Sequence, residues 1–182
     1  MPEVGDTFKG PHRPGDSTIG FERFGQQVDS DICTGFAPSF PHGFTSMVNF
    51  IDRWSHRPYI MLTKGNPPDS HQVASSFRAV ASLMEPDLKG HYIGRWVTDN
   101  GLSFHGDDVE GAAKELCEER GFNAPNDLNA LPVAERFWGI LERMDRSDLA
   151  EADAPECLWA WGSAQNCRLL YFLPTSAHQP PV

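Results

Sequence analysis

The order in which helical and strand-like apolar patterns follow one another limits which folds this chain can adopt. Apolar residues recur at helical spacing in residues 45–56, 70–85, 107–121 and 132–144, and strand-like runs occupy residues 59–63, 91–98, 102–105, 157–161 and 167–173. These helical and strand-like segments do not alternate regularly, so we expect no doubly wound parallel sheet.

The pattern predicts an α+β fold, a single domain with a mainly antiparallel sheet of about five strands, packed by about four helices. Residues 91–98 and 102–105 flank Asp99-Asn100-Gly101, a turn-like tripeptide that predicts a hairpin. Residues 157–161 and 167–173 predict a second hairpin. Both ends of the chain are expected to be irregular.

Three regions of different composition are expected along the chain. Residues 1–42 are rich in Gly and Pro and predict an irregular arm that wraps the domain through its phenylalanines. Residues 43–174 should form the globular α+β domain. Residues 175–182 should form a flexible tail.

Composition disfavours several classes of function for this chain. No run approaches the roughly 18 apolar residues that a membrane helix requires, and the four cysteines lack CxxC spacing. We therefore expect a cytoplasmic protein with free thiols, no membrane association, no metal and no other cofactor. The net charge of −10 disfavours direct binding of nucleic acid and favours a basic protein surface as partner.

Acidic residues are concentrated in the second half of the chain. Residues 107–157 contain fourteen acids and five bases, which is a net −9 of the total −10. This segregation supports a first hypothesis, an acidic interaction module that inhibits or regulates a partner by occluding its basic, nucleic-acid-binding surface. The expected contact residues are Asp107, Asp108, Glu110, Glu115, Glu118 and Glu119. The alternative is that these acids only keep the helices solvated and complement the start of a helix at Asp107.

A second hypothesis is a small-molecule enzyme or ligand-binding protein with a site between sheet and helices. His91, His105 and Asp107 are its catalytic candidates, because a His beside a carboxylate can transfer protons or bind a metal. Trp96, Trp159 and Trp161 would line the pocket.

Two further hypotheses stay open. Cys33 and His42 could form a nucleophile and base pair after folding. A structural or assembly subunit is also possible, since the arm and the Pro-rich tail could reach a neighbouring protomer. The phosphate-binding loop, dinucleotide-binding, serine-hydrolase and zinc-protease motifs are absent from the sequence.

Overall fold

The computed structural model describes residues 20–98, 101–122 and 132–172. In these residues the chain forms one five-stranded sheet and four α-helices. The strands are β1 (Gln27–Thr34), β2 (Ser46–Asp52), β3 (Pro58–Thr63), β4 (Ile93–Thr98) and β5 (Cys117–Phe122), and the helices are α1 (Ser70–Leu88), α2 (Asp107–Leu116), α3 (Pro132–Glu151) and α4 (Trp159–Phe172).

The sheet is mixed, with the strand order β3-β2-β1-β4-β5. β1 pairs with β2 and β2 with β3 in antiparallel fashion, whereas β4 is parallel to both β1 and β5. The predicted α+β class, with about five strands and about four helices, is therefore confirmed. The antiparallel arrangement holds for only two of the four ladders described.

The helix predicted over residues 45–56 is wrong, because residues 46–52 form β2. All seven residues of β2 are buried. A strand buried on both faces carries a nearly continuous apolar run, which periodicity does not separate from a buried helix.

Neither predicted hairpin is formed. β4 lies between β1 and β5, and Leu102–Phe104 form a short 3-10 helix rather than a returning strand. The second hairpin is replaced by α4, which buries Trp159, Ser163 and Cys167 at helical spacing.

Two other boundaries differ from the expectation. The helix predicted over residues 107–121 ends at Leu116, and the chain continues directly into β5. Residues 27–34 of the predicted irregular arm form β1, which is the central strand of the sheet. The predicted loop at residues 123–129 and the tail at 175–182 lie outside the described residues.

Each face of the sheet is covered by two helices. Val28, Phe50 and Trp96 pack in a first core that includes α1 and α2 residues, whereas Met47 and Ile51 pack in a second core with α3 and α4. Because side chains alternate between faces along a strand, the odd-numbered residues of β1 face α3 and α4. Among the described helices, none is long and apolar enough to cross a membrane.

Candidate active site

Strand β1 extends further than its parallel neighbour β4. The described ladder between them ends at the pair Ser30 and Thr98, whereas the ladder to β2 continues to Thr34. Asp31 is thus the first β1 residue beyond the described pairing with β4. Ligand sites in open sheets lie at the carboxyl ends of parallel strands, and Asp31 is close to that end of β1.

Asp31 is held in place through its backbone and through its own side chain. Its N–H donates to Asn49 Oδ1 at 2.8 Å, and its Oδ1 accepts from the backbone N–H of Ile32 at 2.8 Å. Asn49 is fully buried on β2, and its Nδ2 has no hydrogen-bond partner among the described residues. A buried donor without a partner is costly, so it is a position where a bound oxygen ligand would be stabilised.

Cys33 lies on the same face of β1 as Asp31, and its pKa is affected by nearby negative charge. Burial raises the pKa of Cys33 most strongly, and the negative charges of Asp31 and Glu142 raise it further. Glu142 belongs to α3, which packs against β1 and β2. The side of α3 that carries Glu142 therefore brings carboxylate charge towards the odd-numbered residues of β1.

A second α3 carboxylate lies on the same side of the helix. Glu135 precedes Glu142 by seven residues, which is about two turns. Glu135 is exposed in the first turn of α3 and forms no ion pair with another described residue. Glu142 instead binds Arg146, with Oε1 2.6 Å from Nη2.

The neighbouring carboxylate on the same β1 face has a structural role. Asp29 is fully buried, accepts from Gln27 Nε2 at 2.7 Å and pairs with Arg53 Nη1 at 3.2 Å. Burial raises its pKa from 3.8 to about 6, against the lowering effect of Arg53. Both oxygens of Asp29 are already engaged, so Asp31 is the β1 carboxylate suited to a ligand.

The structure does not bring the predicted catalytic residues together. His91 precedes β4 and His105 follows the 3-10 helix beyond its other end, and a six-residue strand spans about 20 Å. His105 and Asp107 are close in sequence, and both are exposed. The pocket expected between three tryptophans is not formed, because Trp96 and Trp159 lie in different cores and Trp161 is 60% exposed.

Several of the predicted acidic contact residues already have partners within the chain. Glu110 pairs with Lys114 at 3.9 Å, Glu115 with Arg78 at 2.9 Å, Glu118 with Arg23 at 3.3 Å, and Asp108 with His71 at 3.8 Å. Asp107 is exposed in the first turn of α2. The side chain of Glu119 lies outside the described set.

The Cys33 and His42 pairing lacks the environment of a reactive thiol. Cys33 is buried and its pKa is raised, which disfavours the thiolate that a nucleophile requires. The ring of His42 is exposed and lies 5.5 Å from the ring of Phe44. Cys33 is better understood as a packed side chain beside Asp31.

Among the described residues, no group of three or more His, Cys, Asp or Glu side chains is arranged to hold a metal ion. Asp31 and Glu135 supply carboxylate oxygens, the ligand type that Mg²⁺ prefers, and Mg²⁺ is commonly held by one or two protein carboxylates plus substrate phosphates. Asp99 is outside the described residues. In sequence it directly follows Thr98, the last residue of β4.

No model of a protein family matches the sequence, and no curated protein matches it. Solved structures do match. The HTLV-2 integrase catalytic core domain in complex with magnesium, in its dimeric form, has a TM-score of 0.63 at 15% identity, covering 86% of this chain and 93% of that one. A simian T-cell lymphotropic virus intasome in complex with PP2A regulatory subunit B56 gamma has a TM-score of 0.62 at 14% identity, covering 97% of this chain and 63% of that one. The catalytic core domain of BIV integrase has a TM-score of 0.54 at 13% identity, covering 78% of this chain and 82% of that one.

At these identities the likeness shows the fold, which is the RNase H-like fold of integrase catalytic cores. The sequence reasoning did not select Asp31 or Glu135 as site residues. The available signal was the alternation of Val28, Ser30 and Ile32 with Asp29 and Asp31, which is typical of a strand with one polar side.

Proposed function

We propose that the protein is a divalent-metal-dependent enzyme that acts on the phosphodiester bonds of DNA, with Asp31 and Glu135 as metal ligands. The observation that carries the proposal is the position of Asp31 on the central strand, beside a buried unpartnered donor and a carboxylate-bearing helix. The fold of integrase catalytic cores, one of them described in complex with magnesium, supports the same chemistry. This proposal departs from the expectation of no cofactor and no nucleic acid.

The second proposed ligand belongs to α3. Glu135 is preferred over Glu142 as the ligand from α3 because Glu142 already binds Arg146.

Each chain residue has a distinct part in the proposed reaction. A bound divalent ion would act as a Lewis acid and lower the pKa of a water nucleophile. The carboxylates of Asp31, on β1, and Glu135, on α3, would bind that ion. Asn49 would fix the backbone of Asp31 through its Oδ1, while its free Nδ2 would donate to an oxygen bound at the site.

The test is DNA cleavage and ion binding, with two matched glutamate variants. We expect the wild-type chain to cleave end-labelled duplex DNA only with Mg²⁺ or Mn²⁺. Glu135→Gln should reduce the rate by at least about 100-fold, because outer-shell partners alone are worth about 10–100-fold. Glu142→Gln should stay within about tenfold of wild type. Titration calorimetry with Mn²⁺ reports ion binding separately.

The two variants also define how the proposal fails. Loss of activity in Glu142→Gln but not in Glu135→Gln would identify Glu142, rather than Glu135, as the metal ligand from α3. Absence of both Mn²⁺ binding and metal-dependent cleavage in the wild-type chain would overturn the proposed function.

An acidic docking surface for a basic protein is kept as a second proposal, favoured by the exposed first turn of α2. Charge reversal of Asp107 and Asp108 to Lys should release a basic partner and flatten the salt dependence of its binding. Glu85→Lys, an exposed change on α1 outside the acidic stretch, is the control. Equal binding of the basic partner by the wild-type chain and all variants would indicate that the acidic surface only keeps the protein soluble.

A further inference from the structure

A small cavity lies beneath the first turns of α3, between the end of β2, the start of β3 and helix α4. Its volume is about 200 Å³. Ile51, Phe137, Ile140 and Leu170 contribute apolar walls. Pockets that hold drug-sized ligands measure roughly 300–1,000 Å³, so this cavity suits one ring or a short aliphatic chain.

The polar side chains of the cavity belong to two basic residues. Arg136 and His56 line it, and no Asp or Glu is present among its described lining residues. This is unusual in a chain with a net charge of −10. Arg136 is exposed and forms no ion pair with another described residue, so its guanidinium has donors available.

We propose that this cavity binds a small monocarboxylic acid with an aromatic or short aliphatic body. The apolar body would lie against Phe137 and Ile140, where burial removes its surface from water. The carboxylate would accept hydrogen bonds from Arg136, whose planar guanidinium matches a carboxylate in a bidentate geometry.

This site is separate from the proposed metal ligands. Its lining residues come from α3, α4, the end of β2, the turn that carries His56 and the start of β3, and they include neither Asp31 nor Glu135. The proposal can therefore be tested in the absence of metal and DNA. It stands or falls independently of the enzymatic activity.

The test compares hydrocinnamate with its neutral isostere hydrocinnamide by titration calorimetry and by NMR chemical-shift mapping. The wild-type chain should bind the acid about two- to fivefold more tightly than the amide, the size of one exposed charged contact. Arg136→Gln should remove that preference. Ile140→Trp should fill the cavity and abolish binding of both probes.

Three results would overturn the proposal: no binding of hydrocinnamate, equal affinity for acid and amide in the wild-type chain, or unchanged binding in Ile140→Trp. Circular dichroism establishes whether Ile140→Trp has folded. Should it fail to fold, the loss of the acid preference in Arg136→Gln, a substitution at an exposed helical position, remains decisive.

Discussion

Asp31→Asn should abolish metal-dependent DNA cleavage and leave the protein folded. We expect the rate to fall on the order of 1,000-fold, because a group that positions charge at the reacting centre is commonly worth about 10²–10³ in rate. The amide oxygen of Asn can still accept from the backbone N–H of Ile32, so the local structure of β1 should be retained. The cleavage assay and a thermal melt measure the two effects separately.

The expected effect on stability sharpens this prediction. Asp31 contributes to the negative potential that raises the pKa of Cys33. Replacing the carboxylate by an amide keeps the acceptor for the Ile32 N–H and removes one of the two negative charges that act on Cys33, so the melting temperature should change little. Active sites often gain stability when a charged functional group is removed.

A large loss of stability in Asp31→Asn would instead mark Asp31 as a structural residue. In that case the loss of activity would carry no information about chemistry. Unchanged cleavage by the variant would remove Asp31 from the proposed site altogether.

Elements with strong local signals could be predicted from the sequence. The start of α1 is set by Asp69, whose side chain accepts from the N–H of Gln72 at 2.8 Å while Gln72 Oε1 accepts from Asp69 N–H at 3.1 Å. Pro132 begins α3, where its missing N–H costs nothing. In both helices the signal for the start of the helix agrees with the apolar period.

Other elements depend on tertiary contacts that local patterns do not contain. β2 and α4 are both rich in apolar residues, and only their packing partners decide that one is a strand and the other a helix. The Asp99-Asn100-Gly101 tripeptide suggested a hairpin, yet β4 pairs in parallel with β1, which is distant in the sequence, and with β5, which follows helix α2. Such long-range pairing is not encoded in a turn motif.

The candidate site was missed for the same reason. Asp31 and Glu135 are about 100 residues apart, and each is unremarkable in its own segment. Sequence charge drew attention to residues 107–119, whereas the informative features are burial and hydrogen bonding around β1. Even the two aspartates of β1 differ in role, because Asp29 pairs with Arg53 whereas the backbone of Asp31 is bound by Asn49.

Arg53→Met should destabilise the protein strongly, by about 3–5 kcal/mol near neutral pH, because it leaves the carboxylate of Asp29 buried without a counter-charge. The side chains of Arg53 and Asp29 are only 7% and 0% exposed. The double variant Asp29→Asn/Arg53→Met should recover more than half of the loss, since an amide can still accept from Gln27 and carries no charge. Urea denaturation of the wild type and both variants measures these differences.

The loss in Arg53→Met should also depend on pH, with a definite sign. The folded pKa of Asp29, about 6, lies above its ordinary 3.8, so the stability contributed by this group is fully present below 3.8 and is lost as pH rises through about 6. Arg53 lowers that pKa, so the variant should raise it further and extend the loss to higher pH. The difference from wild type should therefore be smaller at about pH 5 than at about pH 8. An equal difference at both pH values would assign the effect to the lost packing of Arg53 over Phe21, 5.4 Å from the ring centre, rather than to the unpaired carboxylate.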